Sequence, residues 1–503
     1  MNTDNKVLSS LGLDVVPAST VATQGAQVGL VRQPEGVRLV VAGSAGDAFE
    51  GERSTLSGRP LLVGPLSRRN ASALREQLPW LRPSLVGFRT SAGMGDRLGR
   101  ATPGHARALR EADGAIFPVF AQQSMREMGR TGRTPADVLD DAMWGAFAAG
   151  WRDGYGSDAD HLKTTQDVDV CLAAGFTGFT IDPGEHVWSA ADNAAPDELQ
   201  AAVRQLPWEF LEDSEPALLA RYAGRAFDVG GAVIRFEPDT VLRAAAKYGR
   251  AVAHVLRMYR HLLHAAGEGR FEMEVSVDET DSPTSHAEHY YVASELRRLG
   301  AKWNGLAPRY VGRFEKGVDY IGSLDAFERD LSVHALIARA LGGYKLSLHS
   351  GSDKFAIYPL VASHTRGLVH LKTAGTSYLE ALRALATLDA ALFREIYVFC
   401  RERYDTDKAS YHVSARVDRA PAPDGLSDAA LPSLLEDFDA REILHVTFGS
   451  VLTDRLPDNR RRFYDAFMAA LDANPDVYSD CLARHFGRHL APFAAHSLAN
   501  SRP

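Results

Sequence analysis

The chain has 503 residues, enough for one large domain with additions or for two to three ordinary domains. Its composition, 45% hydrophobic and 24% charged, is that of a globular protein with a sizeable core and excludes extended disorder. Lysine and arginine number 56 against 64 acidic residues, a net charge of −8, which leaves no basic excess for phosphates and argues against a nucleic-acid partner.

The first sixteen residues, "MNTDNKVLSSLGLDVV", lack a basic stretch followed by an apolar one. No run approaches the roughly 18 apolar residues of a membrane-crossing helix. The cysteines, Cys171, Cys400 and Cys481, are odd in number and far apart. They fit a reducing compartment, with neither a disulfide framework nor a cysteine zinc site. These features predict a cytoplasmic protein without a membrane partner.

In residues 1–80, "GVRLVVAG" and "RPLLVG" read as short strands among turn-forming residues, a small β-containing region. From about residue 85 an apolar run ending in polar residues alternates with an amphipathic helical stretch. The runs are "SLVGFRTSAGMGDR", "GAIFPVFAQQSMRE", "DADHLKT", "FTGFTIDPGEH", "RFEMEVSVDET", "WNGLAPRYVG", "YKLSLHSGSDKF" and "GLVHLKTAGTS". "TPGH" and "TPAD" predict Thr at the N-cap and Pro at the first helical position. "AAGF", "RLGAK" and "LGGY" predict helix ends closed by glycine. Eight strand–helix units predict a (β/α)8 barrel over residues 81–405, with an insertion at about 186–238. An open doubly wound sheet shows the same alternation, but the count of eight favours the barrel. A polar, proline-bearing segment then leads into a helical extension over residues 406–503.

Barrel chemistry gathers at the C-terminal ends of the strands. The tetrapeptide "HLKT" ends both the third and the eighth unit, at His161–Thr164 and His370–Thr373. With period-two alternation, Leu346 and Leu348 face helices while Lys345, Ser347 and His349 point inward. The same argument turns His370 and Lys372 inward in unit eight, His161 and Lys163 inward in unit three, and Glu272 and Glu274 inward in unit five. His161, His349 and His370 with Glu274 are therefore the predicted ligands of a divalent metal, with Zn, Ni, Mn and Fe all compatible with such a set. Asp278, Glu279, Asp160 and Asp182 are further carboxylates at this end. Asp160 and Asp182 are acid/base candidates with bland alternatives as a helix cap and a turn residue, and Lys163 and Lys372 are further catalytic candidates, paired or substrate-facing, with a bland alternative as rim lysines. "GSDK" at Gly351–Lys354 is an anion loop or a plain turn. "GMGDR" lacks the spacing of a dinucleotide fingerprint.

The stretches "SAGMGDRLGRATPGH", "FAQQSMREMGRTGRTPADVLDDAMWG", "DADHLKT", "FTIDPGEH", "LSLHSGSDKF" and "VHLKTAGTSYLEALR" together resemble the tagaturonate epimerase family, from about residue 85 to "ILHVTFGSVL". The resemblance implies a metal-dependent epimerase that interconverts D-tagaturonate and D-fructuronate at C4 in hexuronate breakdown, with relatives acting on tagatose and fructose. The partner would be a small sugar acid, and a homo-oligomer is compatible. Arg89, Gln123, Arg309 and Lys354 are the residues expected to hold such a substrate, with Arg offering bidentate geometry to its carboxylate. A metal-dependent aldose–ketose isomerase and a non-catalytic sugar-acid binder are the competing readings.

Overall fold

The computed structural model describes residues 7–500 apart from 24, 114–115 and 350–352. At the N-terminus β1 (Val21–Thr23), β2 (Ala26–Gln33), β3 (Gly36–Gly43), β4 (Glu52–Leu56) and β5 (Arg59–Gly64) form an antiparallel sheet in the order β1-β2-β3-β5-β4. Val28, Leu30, Leu39 and Val41 are buried on one face, where they meet Leu74 of helix Arg68–Gln77 and Met143, Trp144 and Phe147 of helix Pro135–Ala148. The small sheet is thereby fastened to the outer helix layer of the next unit.

That unit is the barrel. Its strands are β6 (Ser91–Gly93), β7 (Phe117–Ser124), β8 (Gly156–Leu162), β9 (Gly178–Ile181), β12 (Glu272–Ser276), β13 (Gly305–Ala307), β14 (Lys345–His349) and β15 (Val369–Lys372). Neighbouring strands run parallel and the ring closes between β15 and β6 and between β9 and β12. All eight predicted units contribute a strand. Between β9 and β12 the chain makes short helices, a hairpin of β10 (Arg225–Asp228) with β11 (Val233–Phe236), and the long helix Pro238–Ala266.

Local signals explain most element boundaries. Thr134 caps helix Pro135–Ala148 in a reciprocal box with Asp137, and Pro135 opens it. Gly175 ends helix Thr165–Ala174 at φ +105, a conformation costly for any residue with a Cβ. "TPGH" behaves differently: Thr102 lies inside helix Thr102–Glu111 rather than at its cap. The Asp96 carboxylate takes the N–H groups of Leu98, Gly99 and Ala101 at 3.0, 2.8 and 2.6 Å, so the turn before this helix needs no threonine cap. The stretch after β15 is two helices, Thr376–Leu388 and Ala390–Asp407, because Asp389 starts the second by accepting the Leu392 N–H.

The C-terminal part is helical as predicted and ends in helix Pro475–Asn500. It packs on Thr102–Glu111, where Leu482 lies over Gly104, and on Thr376–Leu388, where the Tyr478 hydroxyl donates to the Ser377 carbonyl at 2.9 Å. The three cysteines are buried and unpaired. Among the described residues no helix is long and apolar enough to cross a membrane.

Barrel closure depends on close backbone approach at Gly178, which is in register with Asp158. A Cβ there would stand 2.3 Å from the Ser157 carbonyl oxygen. Gly178→Ala is expected to destabilise the fold by about 1–3 kcal/mol through forced strand displacement, read as a lower urea midpoint.

Candidate active site

At the centre of the barrel, Lys372 of β15 is 2% exposed. Its Nζ lies 2.8 Å from Asp158 Oδ2 and 2.8 Å from Asp160 Oδ1, both on β8, and 3.0 Å from Glu274 Oε1 on β12. It also donates to Thr180 Oγ1 on β9. Burial disfavours the ammonium, but the three carboxylates outweigh burial and hold its pKa well above the usual lysine value. Burial likewise penalises Asp160 and Glu274, but Lys372 and the neighbouring histidines together outweigh it, so both carboxyls are held low. Asp158 goes the other way, raised by burial despite Lys372, because Asp160 and Glu274 repel its charge.

Above this layer stand two histidines. His349 ends β14, with Nε2 on Glu274 Oε1 and Nδ1 3.4 Å from Asp278 Oδ1. His161 Nε2 is 3.4 Å from His349 Nδ1 and 3.9 Å from Asp160 Oδ1, and its Nδ1 is 3.3 Å from Asp182 Oδ2. Burial opposes protonation of His161, yet Asp160 and Asp182 push its pKa up to about 10. His349 is also raised, since Asp278 and Glu274 overcome burial and the repulsion of Lys372.

His370 does not join this pair. It lies a layer deeper, with Nδ1 2.9 Å from Ser91 Oγ, which Lys345 Nζ also reaches. Burial pushes its pKa down to about 3, the state of a neutral interior imidazole. The two "HLKT" copies thus present different residues. The second is a regular strand whose Lys372 reaches the centre. In the first, the β8–β9 register shifts between Ala159 and Leu162, and His161 takes φ +52. Asp158, Asp160 and His161 all reach the interior, and Lys163 goes out to the rim, where it pairs with Glu185 at 2.8 Å and is 47% exposed.

The mouth is lined by Asp278, Glu279, Arg309, Tyr310, Lys316 and Tyr411. Arg309 donates to the Asp278 carbonyl at 3.3 Å, while its buried Nε makes no hydrogen bond among the described residues. Arg126 pairs with Glu279 at 2.8 Å and Lys316 lies 3.8 Å from the same carboxylate. Gln122 turns inward and donates to Asp160 Oδ2 at 2.9 Å.

Three residues expected at the substrate are elsewhere. Gln123 is directed outward, accepting from Arg133 of the helix layer at 3.3 Å, because a register shift between Val119 and Ala121 alters the alternation of β7. Arg89 lies at the opposite end of the barrel, over the Phe117 ring at the start of β7 and bonded to the Val86 and Leu85 carbonyls. Lys354 is fully buried and donates to the carbonyls of Glu315, Val318 and Asp353. Gly351 and Ser352 of the "GSDK" turn lie outside the described residues. Arg126, Lys316 and Tyr411 carried no sequence signal, since each sits in a loop or helix end rather than on a strand.

Residues 18–493 match the tagaturonate epimerase family. The chain belongs to the tagaturonate epimerase family. It is 43% identical over 465 residues to the tagaturonate/fructuronate epimerase of Thermotoga maritima, covering 92% of this chain and 93% of that one. Crystal structures of the fructuronate-tagaturonate epimerase of Cohnella laeviribosi superpose with a TM-score of 0.91 at 35% identity; the glycerol complex covers 97% of both chains and the native form 97% of this chain and 98% of that one.

In this member of the tagaturonate epimerase family, Asp160, His161 and His349 each offer one ligand atom, and these atoms lie within 4.8 Å of one another. Two imidazoles and a carboxylate are a donor set suited to a divalent transition ion. The excess of carboxylates over the single Lys372 ammonium adds an electrostatic demand for further positive charge. Glu274 stands behind His349 on the ring's other nitrogen, where it orients the imidazole.

Lys372→Met leaves Asp158, Asp160 and Glu274 buried without their ammonium. It is expected to cost about 3–5 kcal/mol of stability, measured by urea unfolding. A loss below 1 kcal/mol, the usual range of exposed ion pairs, would contradict the central role given to Lys372.

Proposed function

We propose that this chain interconverts D-tagaturonate and D-fructuronate at C4, as a metal-dependent epimerase working by retro-aldol and aldol steps. The observation that carries the reading is the buried carboxylate–histidine–lysine cluster at the mouth of a barrel whose relatives, matched along nearly their whole length, bear that activity in their names.

The chemistry follows from the substrate. A C2 ketone acidifies the C3 hydrogen, so removal of the C4 hydrogen has no electron sink. Cleavage of C3–C4 has one. The C4 hydroxyl loses its proton, C4 becomes an aldehyde, and the bonding pair moves to C3 and the C2 oxygen as an enediolate. The aldehyde turns over and the enediolate carbon attacks its other face, restoring C3–C4 with C4 inverted. A divalent ion held by Asp160, His161 and His349 would serve as Lewis acid toward the substrate oxygens. Both Asp160 oxygens are engaged, one by Lys372 and one by Gln122, which makes it a poor proton acceptor. Asp182, beside His161 and bonded through Oδ1 to the Gly184 N–H at 2.8 Å, is the carboxylate assigned to the C4 hydroxyl proton. Lys372 supplies positive charge beneath the reacting carbons. Arg309, with its unpartnered buried Nε, and Lys316 receive the uronate carboxylate at the mouth.

Three measurements test this. NMR of tagaturonate with the enzyme in deuterium oxide is expected to show fructuronate with no deuterium at C4 or C3, because both C–H bonds survive retro-aldol cleavage. Deuterium at C4 would overturn the mechanism, and a primary isotope effect with C4-deuterated substrate would point to transient oxidation instead. Chelation is expected to abolish turnover and one divalent ion to restore it; full activity of the metal-free protein would remove the metal from the reaction. Arg309→Met is expected to raise KM for the uronate about 10- to 100-fold, the worth of a charge-assisted hydrogen bond, with a smaller change for a neutral ketohexose.

A further inference from the structure

The described residues contain two more clusters of histidine and carboxylate, both outside the barrel mouth. In one, Asp353 faces His485 and His489 at 2.8 and 3.1 Å, but Arg441 already stands 2.9 Å from the same carboxylate. That guanidinium supplies the positive charge a metal would bring, and the cluster is complete without one. The other cluster differs. His286 begins helix His286–Arg298, and Asp330 and His334 lie one turn apart on helix Leu324–Ala340. Among the described residues the ion-pair partners of Asp330 are His286 and His334, with no lysine or arginine.

We propose that His286, Asp330 and His334 form a second divalent-cation site, structural in role and suited to a zinc-class ion. The spacing supports it. His286 Nε2 lies 3.1 Å and His334 Nε2 3.5 Å from Asp330 Oδ1, and the three ligand atoms fall within 4.8 Å of one another. Bonds of about 2.0–2.1 Å around a tetrahedral ion place neighbouring ligand atoms roughly 3.4 Å apart. The fully buried His334 makes no hydrogen bond of good geometry through Nε2. Its other nitrogen is fixed by His289 at 2.8 Å, which is fixed in turn by the Tyr344 hydroxyl at 2.7 Å, the outer support that metal-ligating imidazoles commonly have. The His286 side chain is 35% exposed and leaves a path from solvent.

The site has a mechanical consequence. Asp330 Oδ2 accepts the Val311 N–H at 3.3 Å, and the Tyr310 ring stands edge-on to His334. Both contacts hold the segment after β13 that carries Arg309. The ion would brace that segment from behind.

The test is a count of bound zinc. Full-length wild type, His286→Ala and Asp330→Asn are stripped with chelator, reloaded with zinc, desalted and assayed for metal per chain by emission spectrometry. Each variant is expected to hold one ion fewer than wild type. Equal counts in wild type and variants overturn the proposal and leave a hydrogen-bonded His–Asp cluster. An ion at the barrel mouth shifts all three counts together, so failure there is distinguishable from failure here. His286 is half-buried at a helix start, so His286→Ala decides the matter even if Asp330→Asn does not fold, with far-UV circular dichroism checking each.

Discussion

A single ammonium inside a ring of carboxylates sets the terms for the rest of the barrel. Lys372 is shared by Asp158, Asp160 and Glu274, contributed by β8 and β12 on the far side of the ring from β15. Removing an ionised group from water costs several kcal/mol even after relaxation, so no member could stay charged there alone. One positive charge does not balance three negative ones. The surplus is met in two ways: Asp158 is raised toward its neutral form, and His161 and His349 are raised toward their charged forms. Both responses express the same demand for positive charge at the strand ends. The proposed divalent cation would meet that demand and leave charge to share with a substrate oxygen.

The barrel was legible because its signal is long and repeated. Alternating apolar runs and amphipathic helices, glycine stops such as Gly175 and the Thr134 cap agree with one another, and that consistency across levels specifies a fold. Alternation also placed Lys345, Ser347, His349, His370 and Lys372 inward, since β14 and β15 are regular strands. It failed where strands are irregular. The shift in β8 separates the first "HLKT" from the second. A bulge reverses the facing of every residue beyond it and leaves little trace in a run of mixed polar and apolar residues.

Depth along the strand axis was illegible for a different reason. Parity says which way a side chain points but not which layer it occupies. His370 and His349 share an orientation, yet His370 is in register with Ser347 and Ser91 while His349 is level with Lys372. Two residues of axial offset divide an interior imidazole bonded to Ser91 from one at the cavity. Arg89 and Lys354 show the wider form of the problem. A cation near a strand in sequence can serve the other end of the barrel, or spend its donors on backbone carbonyls that no sequence pattern marks.

The rim ties the outer helices to the chemistry. Arg309 and Thr284 exchange backbone and side-chain hydrogen bonds, and Arg309 reaches the Asp278 carbonyl beside His349. Two residues on, the Val311 N–H rests on Asp330. The loop after β13 is therefore pinned on both faces, toward the cavity by Arg309 and toward the helix layer by the histidine cluster. In the proposed retro-aldol reaction the fragment that turns is the C4–C6 aldehyde, which carries the uronate carboxylate. A carboxylate held in place at C6 would leave the C4 aldehyde free to rotate about C4–C5 and present its other face. The backing behind Arg309 would hold the proposed carboxylate anchor as that pivot.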